Sequence, residues 1–309
     1  MITKEMELAI KTPQYHTQFW NYIKKPNTAT ENVLPKEARS FSPTAYLFPK
    51  TSIQLLSEKL SKYSPFRQIS SCITLNQGAT TLHYFDCVPK TVWTTNNGFP
   101  IEEEQKTLET TTRAVQHFIV SSLIRLSNEV VCDHSFALED YLTTVLAKEF
   151  AKEESKALIH GDGVTTPAGL LHKTKGAKVG YSTSSLTLDA LHQLYFSLDS
   201  EYRMNGTWIM SDETYLKLKL LKDDTGQYLW KDELLLGKPV VVINAMNNAT
   251  YPVAFGGFSN LWIIERLAPS VKVLEELFYF KDQTAYLAHH RIDALLTDQN
   301  AVKLLEVKG

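Results

Sequence analysis

The run Gly161-Asp-Gly-Val-Thr-Thr-Pro-Ala-Gly169 has the glycine density of a loop that cradles phosphate. Such a cradle leads out of a strand into a helix N-terminus and carries a lysine to meet the charge. Here the run follows a helical pattern and lacks Gly-Lys-Ser/Thr, so nucleotide binding is not expected. His289 and His290 are adjacent in a strand-like run, where neighbours point to opposite faces and cannot share one metal without distortion. They read as two unrelated strand histidines. Glu102-Glu-Glu104 sits beside Pro100 at a turn-rich tip and reads as a solvated acidic turn or half of an intersubunit salt bridge. Cys72, Cys87 and Cys132 show no C-x-x-C spacing, so buried or half-buried thiols are expected in place of a zinc site or disulfide framework. No G-x-S-x-G elbow, H-E-x-x-H helix or kinase-like set occurs, and no catalytic, cofactor-binding or metal-ligating residue is assigned. A triad whose members meet only in space leaves no such signature, which keeps an α+β hydrolase as the remote alternative.

Composition narrows the classes further. The chain has 309 residues, 43% hydrophobic and 21% charged, enough for one large domain or two smaller ones. Thirty-two Lys and Arg against 34 Asp and Glu give a net charge of −2, far from the basic excess of a protein that grips phosphate backbones. The longest apolar runs, such as Val240 to Ile243, fall short of the roughly 20 residues that cross a bilayer. The N-terminal residues lack a secretory signal pattern, so a cytoplasmic protein is expected.

The elements that would position these residues follow from periodicity. The first forty or so residues show no period; Phe19-Trp20-Asn21-Tyr22-Ile23 then a Pro- and Thr-rich stretch predict an extended arm laid on another subunit. A short amphipathic helix runs from Thr51 to Ser64-Pro65, a strand covers Ile69 to Leu75, and another Thr81 to Val88. A tip from Trp93 to Lys106 separates this strand from a second long run ending near Leu126, and the two should pair as a hairpin. Arms of roughly 14 residues at ~3.3 Å each would reach about 45 Å, against a radius of gyration of about 19 Å, so part of the hairpin should project. A neighbouring subunit would cover its edges.

After an N-cap at Asp133 or Ser135, Leu138, Tyr141, Leu142, Val145, Leu146, Phe150, Ala157 and Leu158 fall on one face of a helix about 30 Å long, ending at Gly161. Lys173 to Ser185 reads as loop. Thr187 and Ser211 cap two further helices around a strand Thr207–Met210, and Asp223-Asp-Thr-Gly226 is a turn. The remainder is strand-rich: Val240–Ile243, Pro252–Phe255, Leu261–Leu267, Val271–Leu274 and two runs between Thr284 and Val307. Helices first and strands later argue for α+β over a βαβ repeat.

In this order the residues resemble a known family, the major capsid proteins of tailed bacteriophages. Glu153-Glu-Ser-Lys-Ala-Leu-Ile-His-Gly-Asp-Gly163 and Pro167-Ala-Gly-Leu-Leu171 are similar to the family's helix "ED-x-A-F-L-x-G-D-G" flowing into "x-P-x-G-I-L". Trp208-Ile-Met, Leu221-Lys-Asp-Asp-Thr-Gly-Gln-Tyr-Leu, Leu235-Leu-Gly-Lys-Pro-Val and Ala254-Phe-Gly-Gly-Phe resemble a second ordered block, and Arg291-Ile-Asp-Ala-Leu with Ala301-Val-Lys-Leu-Leu resembles its end. Together they cover roughly Ser64 to the C-terminus.

The resemblance implies the α+β tailed-phage capsid fold: an N-terminal arm (1–42), the start of a peripheral domain (43–75), an extended loop (76–112), the peripheral domain with its spine helix (113–182), an axial domain (183–260), peripheral strands (261–297) and a C-terminal strand (298–309) returning to the axial domain. It implies a non-enzymatic major capsid protein that assembles through pentamers and hexamers into an icosahedral shell around double-stranded DNA of a tailed phage or prophage-derived particle. Expected partners are further copies of the chain, a separate scaffolding protein, a portal, a maturation protease, decoration proteins and nonspecifically contacted DNA, with no membrane and no cofactor. The expected place is the virion capsid, assembled in bacterial host cytoplasm. The rival is an encapsulin-like compartment shell around a cargo enzyme. One branch of the family joins subunits by a lysine-to-asparagine isopeptide bond assisted by a glutamate. Here Asp282-Gln283-Thr284 and His289-His290 offer neither Asn nor Glu at the corresponding strand, so Lys90 and Lys106 read as ordinary edge charges.

Overall fold

Alternation of period two and period 3.6 sorts the described residues into two larger sheets joined by one long helix, with a two-stranded ribbon beside them. The computed structural model describes residues 11–24, 48–75, 81–85, 110–133, 137–223, 225–230, 232–274 and 276–308. Glu102–Glu104, Lys90, Lys106, Cys87, Ser135 and the tip from Trp93 to Lys106 lie outside them.

The first sheet has four strands. These are β1 (Ser71–Thr74), β4 (Phe118–Ser127), β9 (Leu261–Leu274) and β10 (Gln283–Leu296), in the order β1-β9-β10-β4, with β1 parallel to β9 and the other pairs antiparallel. One face is covered by helices α1 (Pro13–Lys24), α2 (Lys50–Tyr63) and the N-terminal half of α5 (Leu138–His160). Between them run the short helices α3 (Pro65–Ile69) and α4 (Asn128–Cys132). Leu56 and Leu60 of α2 meet Leu142, Leu146 and Phe150 of α5 above Val271, Val273, Tyr286 and Ala288.

The second sheet has five strands in the order β5-β11-β8-β6-β7: β5 (Lys178–Thr183), β6 (Thr207–Met210), β7 (Val240–Val242), β8 (Val253–Gly256) and β11 (Val302–Val307). Its central strands are buried on both faces, as period two predicts. Ile209, Ala254, Val302 and Leu304 face one core, and Trp208, Met210, Val253, Phe255 and Leu305 face the other. Helices α6 (Leu188–Phe196) and α8 (Asp212–Lys219) cover the second face, with the short helix α7 (Ser200–Met204) between them. Thr187 and Ser211 cap α6 and α8 as expected, their side chains accepting from the Ala190 and Thr214 amides at 3.2 Å. Leu158 and Ile159, at the far end of α5, belong to the core of this second sheet, so one 23-residue helix of about 35 Å enters both cores.

Several expectations are corrected. The N-terminal segment is not wholly extended or reserved for another subunit. Tyr15, Phe19, Trp20 and Ile23 recur at helical spacing on α1 and are buried in this chain's own core, with Phe19, Trp20 and Phe48 packed edge to face. The short polar flanks hid a period visible over only three turns.

The long second arm of the hairpin also divides. β2 (Thr81–Phe85) pairs with β3 (Thr110–Ala114), from Thr81 opposite Ala114 to Phe85 opposite Thr110. Its continuation, β4, pairs instead with β10, because its even-numbered residues need the helix layer beneath the first sheet. The 14-residue arms therefore do not exist as one ribbon among the described residues.

The segment read as loop from Lys173 contains β5, an exposed edge strand parallel to β11 whose Gly, Ser and Thr content carries little hydrophobic signal. Residues 261–274 form one strand, not two: Ala268 and Pro269 together oppose His290, a bulge that tolerates the proline. Ile69 ends α3 and does not begin a strand. Ala137 is the N-cap of α5, with no side-chain cap, and Tyr141 is exposed on the helix flank. Cys72 and Cys132 are exposed thiols, contrary to the expected burial. Cys72 alternates onto the outer face of β1, and Cys132 ends the short helix α4.

Candidate assembly surfaces

The glycine-rich run terminates α5 instead of opening a helix. Its chain doubles back, so the Leu170 and Leu171 amides donate to the Leu158 and Ile159 carbonyls at 2.7 and 2.9 Å, satisfying acceptors the helix end would leave orphaned. This return requires glycine: a Cβ on Gly161 would lie 1.7 Å from the Pro167 oxygen, and one on Gly169 2.5 Å from the Ile159 oxygen. The amides of Val164, Thr165 and Thr166 converge on the Asp162 carboxylate at 2.9–3.0 Å, and Thr165 Oγ1 donates to it at 2.7 Å. Those hydrogen bonds hold the Asp162 carboxyl far below its usual range. The donors a phosphate would need are already taken by the chain's own anion.

Where the two cores meet on α5, Glu154 is buried and accepts a bidentate pair from Arg67 of α3 at 2.9–3.0 Å, with Ser64 Oγ at 3.3 Å. Arg67 Nη1 also reaches Glu265 of β9 at 2.5 Å, and His290 Nε2 of β10 lies 3.3 Å from the same oxygen. The Arg67 side chain is 4% exposed and that of Glu154 1%. Burial opposes the Arg67 charge, yet the two carboxylates raise its pKa above the ordinary value. Burial likewise pushes the Glu265 carboxyl up, but the close approach of His290 and the Arg67 charge outweigh it and hold it at about 2. Four elements are thereby fastened at one point. Sequence reasoning missed this cluster. The available signal was Glu154 itself, an acid one turn from both Phe150 and Leu158 on the apolar stripe.

The histidine pair divides as expected. His289 turns outward and bonds Ser121 Oγ through Nδ1 at 2.7 Å, while His290 is buried beside Phe150. Asp293, in the Arg291-Ile-Asp segment, accepts from the Gln116 amide at 2.9 Å where β3 passes into β4. Its burial pushes the carboxyl up. Asp223 similarly closes its turn, accepting from the Thr225 and Gln227 amides at 2.9 Å. Trp208 Nε1 donates to the Leu235 carbonyl at 3.0 Å. These described segments thus build scaffold. Among the described residues no group of three or more His, Cys, Asp or Glu is placed to hold a metal ion.

Among the side chains the scaffold leaves outside are several large apolar ones. On the open face of the first sheet, Ile119 and Leu123 of edge strand β4 point to solvent. The β9–β10 turn exposes Leu277, Tyr279 and Phe280. At the second sheet Phe196, Met204, Leu216, Leu220 and Leu234 are exposed. Patches of this kind spread over several sides mark protein–protein contacts.

The phage capsid family model matches residues 44–307, most of the chain. The chain belongs to the phage capsid family. Solved structures agree. The capsid of an empty GTA particle, computed with C5 symmetry, is 28% identical with a TM-score of 0.66, the alignment covering 80% of this chain and 90% of that one. The capsid of the native GTA particle is also 28% identical, at TM-score 0.63, covering 81% and 91%. Mycobacterium phage Adephagia, 14% identical with TM-score 0.55 over 80% and 90%, shares the fold, as does a virus-like particle from Pyrococcus furiosus, 12% identical with TM-score 0.52 over 83% and 98%. A search of curated proteins finds no match. The protein is a structural subunit of a capsid shell that associates with copies of itself. Among the described residues no helix is long and apolar enough to cross a membrane.

Proposed function

We propose that this protein is the major capsid protein of a tailed phage, prophage-derived particle or gene transfer agent, assembling through pentamers and hexamers into an icosahedral shell around double-stranded DNA. The observation that carries this reading is the 28% identity to a GTA capsid across 90% of that chain. In this reading the first sheet with α5 is the peripheral domain, the second sheet with returning strand β11 is the axial domain that meets the symmetry axes, and the β2–β3 hairpin is the base of the extended loop. The Arg67 cluster would keep the two domains at a fixed angle while the exposed apolar patches meet neighbours. The net charge of −2 supports a wall that contains DNA without gripping it. Scaffolding protein, portal, protease and decoration proteins complete the proposal.

Expression of the chain with its neighbouring genes, followed by electron microscopy and nuclease treatment of the purified particles, tests it. Closed shells holding nuclease-protected DNA are expected. Shells that enclose a cargo enzyme and no DNA would make it a compartment, and a monomer under all conditions would sink the assembly mechanism.

A further inference from the structure

The described part of the turn between β9 and β10 is closed by its own hydrogen bonds and displays residues that touch little. The Lys281 amide donates to the Phe278 carbonyl at 2.9 Å and the Asp282 amide to the Tyr279 carbonyl at 3.0 Å. Asp282 takes a left-handed conformation (φ 50°), and its Oδ1 accepts from Asn128 Nδ2 at 2.7 Å. Phe278 turns back under the Arg125 guanidinium at 5.1 Å. This frame displays Phe280 fully exposed and Tyr279 three-quarters exposed, their rings edge to face at 6.3 Å, with Leu277 beside them. Large aromatic rings left wholly in water are disfavoured unless something covers them.

At the opposite end of the same β4–β10 ladder lies a cleft of about 270 Å³, between the start of β4 and the last turns of α5. Phe118, Val120, Ala157 and Ile292 give it an apolar side, Glu154, His160, Thr165 and Thr166 a polar one, and Glu153 and Lys156 also line it. A cavity of about 150 Å³ suffices for benzene, so a phenyl ring fits with room to spare. The register runs from Gln283 opposite Ser127, beside the turn, to Ile292 opposite Phe118, at the cleft. At about 3.3 Å per residue the two features are roughly 30 Å apart, so a chain cannot place its own turn in its own cleft.

We propose that the β9–β10 turn is a knob that seats Phe280 in the β4–α5 cleft of a second copy of this chain. The inference rests on the capsid reading and specifies one of its contacts. Charge complements shape: exposed Glu276 and Lys281 flank the knob, while Lys156 and Glu153, only loosely paired at 3.8 Å, flank the cleft. The contact is heterologous, because knob and cleft are different patches, and such a contact gives a ring where its rotation closes, not a twofold dimer. Its size fits the same role. Two aromatic side chains of about 150–250 Å² each, plus Leu277, stay below the roughly 800 Å² per partner of a stable interface. One knob holds no pair together. A closed ring gains the contact once per subunit, and its effect multiplies with the others.

The test places photoreactive benzoylphenylalanine at position 280 and irradiates assembled particles, with peptide mapping of crosslinked dimers. Intersubunit adducts on peptides containing Phe118–Val120 or Lys156–Thr166 are expected. Adducts elsewhere on the second copy, or none in particles that form, overturn the seat. In parallel, Phe280→Ser should raise the protein concentration needed for assembly at least tenfold without lowering the melting temperature of the unassembled subunit. Unchanged assembly by this variant refutes the knob and leaves the capsid reading intact. Failure of the unsubstituted chain to form any ring or shell sinks both.

Discussion

Replacing Arg67 with methionine should weaken the subunit more than any exposed charge change, and the cluster geometry sets the scale. The substitution keeps an unbranched side chain while removing the guanidinium that faces Glu154 and Glu265. Holding the Glu265 carboxyl at about 2, against an ordinary 4.5, is worth on the order of 3 kcal/mol at neutral pH, shared between His290 and Arg67. Stripping the partner from a buried pair costs about 3–5 kcal/mol, and with Glu154 also losing its partner this is the expected loss. Urea unfolding of unassembled subunits, followed by tryptophan fluorescence, measures it. A cycle with Glu154→Leu should return a coupling of about 2–3 kcal/mol, since two apolar side chains leave less unpaired charge than one broken pair.

The pH dependence gives a second reading of the same variant. Because the folded Glu265 pKa is depressed, its contribution is complete above about 4.5 and is lost as pH falls toward about 2. In Arg67→Met the Glu265 carboxylate lacks that cation and gains by taking up a proton, so the gap between variant and parent should narrow from pH 7 to pH 4. A single-variant cost below about 1 kcal/mol, the value of a surface pair, would refute the claim that this cluster fastens the two cores.

Gly161→Ala places a Cβ 1.7 Å from a backbone oxygen that no side-chain motion can clear, and thermal melting should register a loss of at least about 1–3 kcal/mol. Phe19→Ala removes a fully buried ring from the first core and should cost about 3–5 kcal/mol in the unassembled subunit; no change in its unfolding would return α1 to the role of an intersubunit arm. Asp162→Ala releases three amides, and hydrogen exchange at Val164, Thr165 and Thr166 should quicken while the α5 core amides keep their protection.

Local chemistry made several elements readable without any fold. Thr187 and Ser211 announce their helices because a cap needs only its own next three residues, and Thr207–Met210 reads as a strand because its apolar run is short and bounded. The spine helix is legible for the same reason: 23 residues repeat its pattern often enough to stand out. The ordered segments from Glu153 to Leu171 and onward carried the family, and with it a shell subunit.

Decisions that depend on distant partners stayed hidden. Whether the run to Leu126 extends the hairpin or joins the first sheet is decided by β10, more than 150 residues away, which offers β4 both a ladder and a helix-covered face. The strand Lys178–Thr183 exists because β11 pairs with it, since its own side chains bury little. Arg67, Glu154, Glu265 and His290 come from four elements and have no common spacing, so only packing could bring them together. The same holds for the knob and the cleft: exposure and emptiness are properties of a folded surface, and no residue type encodes them alone.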